Sequence, residues 1–138
     1  MSHHEEAGAH IDADPATIRT ILLDPLALPR WNPAFLKVGG PGNAVTGEAH
    51  PIVVRPGLVG SFNYLRIEPM TIDLEWSVPG LHETARWSLI DAGTGTLVTH
   101  QFWHSGPLAR VMRNSFRGVS TLRLARLAEQ ITNKERTS

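Results

Sequence analysis

The sequence predicts an α+β fold: a curved antiparallel sheet of about six to seven strands wrapped on a long C-terminal helix, with two short helices after the first strand. Three observations predict it. Asp-Pro pairs at 14–15 and 24–25 offer two helix starts near the N-terminus. From Phe35 to Ser105 apolar residues recur largely at every second position, between evenly spaced turn signals. From Pro107 to about Ile131 there is no further proline, and the apolar spacing changes to three or four.

In chain order, the first strand is expected over Glu5–Ile11. Asp14 then caps a helix with Pro15 in its first turn and Ile18, Ile21 and Leu22 on one face. Asp24-Pro25 repeats the device, and Pro29 and Pro33 keep that helix short, so Trp31 falls at or just past its end. "FLKVG", "EAHPIVV" and "SFNYLRI" follow as strands, with "RPGLVG" read as a turn. "TIDLEWSV" alternates cleanly, which puts Ile72, Leu74, Trp76 and Val78 inside and Asp73 and Glu75 on the wet face. "ETARWSLI" and "TLVTHQFWHS" are joined by the Gly-rich loop "DAGTG". An uninterrupted final helix would reach roughly 36 Å, long enough to cover a small sheet. Leu108, Met112, Ser115, Val119 and Leu122 form its first stripe, and Gly118 inside it suggests close approach to another element. Leu124, Leu127 and Ile131 lie rotated from that stripe.

Length and composition fit one domain, residues 1–138, with polar tails at about 1–4 and 132–138. Hydrophobic residues make up 41% of the 138, enough for a real core. Basic and acidic residues number 13 each, which argues against an electrostatic nucleic-acid binder. No cysteine is present, so thiolate metal sites and a Cys nucleophile are excluded. The N-terminal "MSHHEEAGAH" lacks an apolar signal region and no run approaches a membrane span, so the expectation is a cytoplasmic protein.

"IDADPATIRTILLDPLALPRWNP" (11–33), "RWSLIDAGTGTLVTH" (86–100) and "SGPLARVM" (105–112) carry a resemblance. In this order they resemble the START-like or Bet v 1-like superfamily, the SRPBCC or polyketide cyclase/dehydrase group. The resemblance spans nearly the whole chain and implies a helix-grip fold with a cavity between sheet and long helix. It brings no invariant catalytic motif, and its members include lipid carriers, hormone receptors, aromatase/cyclases and chaperone activators.

Four tryptophans are many for this length. Phase puts Trp76 and Trp87 inside and Trp103 outside or at an edge. Each Trp is read either as core packing or as a pocket wall. In "THQFWHSG", His100 and His104 share a face with Val98 and Phe102. Four residues along a strand span about 13 Å, too far for the pair to share one ion, so no metal is expected. As pocket histidines they could shape polarity or transfer protons. Proton transfer would need an orienting carboxylate, and the phase of Asp73 and Glu75 offers none. Arg113 and Arg117 are expected in solvent, and no phosphate loop or dinucleotide fingerprint implies a cofactor.

The leading expectation is therefore a protein that binds a small hydrophobic or aromatic molecule. Its ligand-binding residues would be Trp31, Phe35, Trp76, Trp87, His100, Phe102, His104, Met112, Phe116 and Val119. Trp31 and Phe35 would stand at the cavity mouth, or Trp31 would plug the core. The alternatives are a polyketide cyclase/dehydrase-like enzyme using His100 or His104, and a chaperone-activator-like adaptor presenting Trp103.

Overall fold

The computed structural model describes residues 3–137. In chain order it has β1 (His3–Ile11), α1 (Pro15–Leu22), a 3-10 turn (Pro25–Ala27) running into α2 (Leu28–Trp31), β2 (Phe35–Val38), β3 (His50–Val54), β4 (Leu58–Ile67), β5 (Thr71–Val78), β6 (Leu81–Asp91), β7 (Thr96–Ser105), α3 (Pro107–Val111), a second 3-10 turn (Arg113–Phe116) and α4 (Val119–Thr137). The strands form one antiparallel sheet in the order β1-β7-β6-β5-β4-β3-β2. This is the helix-grip arrangement that the sequence predicts.

The Asp-Pro devices differ in detail. The Asp14 side chain accepts from the Thr17 N–H at 2.8 Å and caps α1; the Thr17 side chain first and this N–H second hold its carboxyl below the usual range. Asp24 makes no such bond, and Pro25 opens only a 3-10 turn. The Tyr64 hydroxyl donates to the Leu22 carbonyl at 2.8 Å and ties the end of α1 to the sheet.

Three expectations are corrected. β1 begins by His3, and α4 continues through Thr137, so neither expected tail is a free end there; residues 1, 2 and 138 lie outside the described residues. The turn before β4 is shorter than "RPGLVG", because Leu58–Gly60 already pair with Ile52–Val54. The long C-terminal helix is broken. Gly118 has φ +82°, a conformation that L side chains avoid, and a Cβ built there would meet nothing within 4 Å. The glycine therefore ends one cover and starts another; it does not mark a close contact.

The break makes two covers from one segment. α4 packs on β1, β7 and α2, with Arg123, Leu124, Leu127 and Ile131 buried along one face. The Glu5 carboxylate of β1 accepts from the backbone N–H of Gly118 and Ser120 at 3.1 and 2.9 Å, fixing where α4 starts. α3 is pinned at its start, where the Leu108 N–H donates to the Gly80 carbonyl at 2.8 Å. Gly106 has φ +102° there, and an added Cβ would stand 2.4 Å from the Gly80 oxygen. Between these anchors Arg110, Val111, Arg113, Asn114, Ser115 and Arg117 are exposed.

Candidate ligand-binding site

The period-two phase of β6 puts Glu83, Ala85, Trp87 and Leu89 on the inner face. That of β7 does the same for Val98, His100, Phe102 and His104. Sheet register then decides who meets whom. Glu83 stands opposite His104 on one side and Trp76 on the other. Trp87 stands opposite His100, and their rings stack at 3.7 Å.

Glu83 is saturated. Its Oε1 accepts from His104 Nε2 at 2.6 Å and Arg123 Nη2 at 2.9 Å. Its Oε2 accepts from Trp76 Nε1 at 2.8 Å and Arg123 Nη1 at 3.0 Å. Burial works to raise the Glu83 pKa, but the Arg123 charge and these hydrogen bonds outweigh it and hold it at about 2. His100 Nδ1 donates to the Arg86 carbonyl at 3.2 Å, which leaves Nε2 to accept from Arg123 Nη1 at 3.2 Å. Burial, reinforced by Arg123, lowers the His100 pKa to about 3, so this ring is neutral. Arg123 also lies over the Phe102 ring, 5.0 Å from its centroid.

A cavity of about 210 Å³ lies beside this network, at the end of the sheet covered by the second 3-10 turn and the start of α4. Its walls are mainly apolar: Val54, Leu58, Trp76, Leu81, Met112, Phe116, Val119 and Leu122, with Pro33 and Ala34. Arg55, Ser115 and Arg123 are its polar members.

The ten residues expected at the ligand therefore divide. Trp76, Met112, Phe116 and Val119 line the cavity; the other six do not. Trp87, His100, Phe102 and His104 are buried in the core: Arg123 of α4 meets His100 and Phe102, and Phe116 of the second 3-10 turn packs on His104. Trp31 is 3% exposed at the end of α2 and meets Trp87 edge-on at 5.5 Å. Phe35 is buried against Phe62 and Trp76 at 5.9 and 5.8 Å. These two plug the core, while the neighbouring Pro33 and Ala34 reach the cavity. Trp103 lies on the outer face, half-buried, stacked on His4 at 5.0 Å. His3, within the expected polar tail at about 1–4, lies 6.3 Å from the His104 ring.

Two residues were missed. The carboxylate judged absent from the interior is Glu83. It shares the phase of Ala85, Trp87 and Leu89, so the signal was present, hidden by its place at the head of the strand. Arg123 is buried beside Leu124 and Leu127, and only a partner such as Glu83 could have argued for that. Asp73 and Glu75 do face outward, although Asp73 is shielded by Arg86, whose Nε donates to it at 2.8 Å.

Comparison with known proteins agrees with this architecture. Residues 3–132 match the family described as polyketide cyclase / dehydrase and lipid transport. The chain belongs to this family. An aromatase/cyclase, Zhui, from a Streptomyces superposes with a TM-score of 0.78 at 14% identity, over 96% of its length and 97% of this chain. A START superfamily protein from Mycobacterium smegmatis superposes at 0.75 with 18% identity, over 98% of its length and 95% of this chain. Norcoclaurine synthase from Thalictrum flavum, solved with dopamine and hydroxybenzaldehyde, gives 0.69 at 12% identity, over 88% of its length and 96% of this chain. At these identities the likeness shows the fold alone. No curated protein matches the sequence. Among the described residues no helix is long and apolar enough to cross a membrane.

Proposed function

We propose that the protein binds one small, mainly apolar molecule in the cavity between the inner sheet face and the cover made by the second 3-10 turn and the start of α4. The observation that carries this reading is the cavity itself, about 210 Å³ with an apolar wall. An apolar protein cavity of about 150 Å³ is large enough for benzene. The space here suits a molecule of one or two rings, and a long folded chain would need the cover to open. Membership in a family described by polyketide cyclases and lipid transport supports a ligand role. Titration with one- and two-ring compounds, followed by nuclear magnetic resonance, is the test. Saturable shifts confined to the lining are expected, and Leu58→Trp, which fills the space, should abolish them. The reading falls if no compound gives a saturable shift up to its solubility limit.

A second reading is an enzyme of the cyclase/dehydrase kind, and one observation favours it. His104 is held by a carboxylate through Nε2, while its buried Nδ1 has no partner. Phe116, which lines the cavity, packs on the His104 ring at 4.2 Å, and Trp76, also in the lining, meets it at 6.4 Å. If Phe116 swings aside, Nδ1 can take a proton from a carbon next to a ligand carbonyl and return it. Exchange of those protons for deuterium in heavy water, lost in His104→Gln, would establish it; exchange no faster than in buffer would rule it out.

A further inference from the structure

Two arginines belong to the cavity wall, and they differ in what they offer. Arg123 is buried, and its Nη1 and Nη2 are bound to Glu83 and His100, so its charge is answered within the core. Arg55, directly after β3, is exposed. Among the described residues it forms no ion pair, and no acidic residue stands in the lining. The Arg55 side chain is nevertheless held in place. Its Nε donates to the Pro33 carbonyl at 2.8 Å, and its backbone N–H donates to the Ala34 carbonyl at 3.1 Å. Pro33 and Ala34 both line the cavity. The guanidinium is thus fixed at the rim, with no hydrogen bond from Nη1 or Nη2 to any described residue.

A fixed cation beside an apolar space selects by charge at one end of a ligand and by apolar contact at the other. The N–H groups of Nη1 and Nη2 form one side of a planar fork that matches the two oxygens of a carboxylate. Because Nε already ties the guanidinium to Pro33, less side-chain freedom is left to lose on binding. The cover adds to the field. Between Gly106 and Gly118 it carries Arg110, Arg113 and Arg117 and no acidic residue. All three are exposed, and none forms an ion pair with a described residue. Such a surface draws anions toward this end of the sheet and repels an amine. We infer that the cavity takes an apolar carboxylate of one or two rings. The ring lies against Trp76, Leu81 and Phe116, and the carboxylate stays at the rim and accepts from Arg55 Nη1 and Nη2. This rests on the cavity being the ligand site.

The test uses three compounds of one frame with the unmodified protein: 3-phenylpropionate, 3-phenylpropanamide and 3-phenylpropylamine. At low salt, calorimetry should show the carboxylate binding about fivefold tighter than the uncharged amide, the upper end of what an exposed ion pair contributes. The amine should bind weakest. Raising the salt to about 0.5 M should shrink the preference for the carboxylate, because the pair is open to solvent. Arg55→Gln removes the charge from an exposed position. It should bring the carboxylate down to the affinity of the amide and leave the amide within about twofold. If the amide binds as tightly as the carboxylate, or if the preference survives in Arg55→Gln, this inference is overturned while the cavity reading stands. If none of the three binds but uncharged one-ring hydrocarbons still shift the lining, it is again overturned alone. If nothing binds, both fall together.

Discussion

Under α4, the inner face of β6 and β7 is filled. Trp87, His100, Phe102 and His104 are each 2% exposed or less, and Glu83 and Arg123 cross-link them. Under the second 3-10 turn and the first turns of α4, the ends of β3 to β6 face open space. One C-terminal segment covers both regions. Beyond its first turns, α4 closes the gap with Leu124, Leu127 and Ile131, while Val119 and Leu122 at its start still line the cavity. Where Gly118 breaks it, the cover is short, largely exposed and anchored at its ends. The filled region holds the fold together, and the hollow one is free to vary with the ligand. Polar groups do not follow the same division. The filled region holds the Glu83 network but also the buried Trp31 Nε1, His104 Nδ1 and Ser120 Oγ, which have no partner, and the unpartnered Nε of Arg123 belongs to a residue that borders both regions.

The largest effects should come from breaking the filled region. Glu83→Ala leaves the Arg123 charge buried without a partner and should cost about 3–5 kcal/mol. Chemical denaturation would measure it. The double variant Glu83→Met with Arg123→Leu removes both charges and should recover much of that loss, because desolvation of the pair is removed with its attraction. Recovery of nothing would mean that the pair stabilises the fold beyond the cancellation of charge. Trp31→Ala should cost a similar amount, about 3–5 kcal/mol, as a large cavity opens against Trp87. Ligand affinity should change little, since Trp31 does not line the cavity; a large affinity change with little loss of stability would make it a gate after all.

A smaller effect separates the two regions by pH. His100 titrates at about 3 when folded and near 6.5 when unfolded, so the unfolded chain binds a proton that the folded one refuses. Stability therefore falls as pH drops from about 6.5 toward 3. By pH 5 this group alone should remove about 2 kcal/mol. Glu83 acts lower, as pH falls through about 4 toward 2. Melting temperatures from pH 7 to 5 should fall more steeply in the unmodified protein than in His100→Gln. Parallel slopes would show that His100 charges freely in the folded state.

How far the sequence could be read follows the same division. The order of elements along the chain, the helix starts and the inward phase of Trp76, Trp87, His100 and His104 were legible, because alternation and Asp-Pro caps are local signals; the pairing of β1 with β7 was not, since it joins distant segments. The Glu83–Arg123 pair was not. Each alone looks like a surface charge, and burial becomes favourable only when two distant residues meet. The cavity lining was legible only in part. Inward phase says that a side chain faces the cover, and not whether the cover reaches it. That depends on the break at Gly118, and a glycine within a helical pattern can signal either close approach or a left-handed turn.

The smallest predicted effect tests that break directly. With φ +82° and nothing within 4 Å of a built Cβ, Gly118→Ala meets no steric wall and carries only the backbone penalty. That penalty is about 1–2 kcal/mol for a left-handed L residue. Two responses are open to the chain. It can keep the turn and lose that much stability with the cavity unchanged. Alternatively, residue 118 can become helical and join α3 to α4, which would pull Gly118 and Ser120 off the Glu5 carboxylate and rotate Phe116 and Met112 relative to the sheet. The bidentate grip of Glu5 favours the first response. Gly118→Ala should therefore lower stability by about 1–2 kcal/mol and leave ligand affinity within about twofold. Adding Glu5→Gln weakens the grip; if affinity then changes although Gly118→Ala alone left it intact, the Glu5 anchor is what keeps the cover in two pieces.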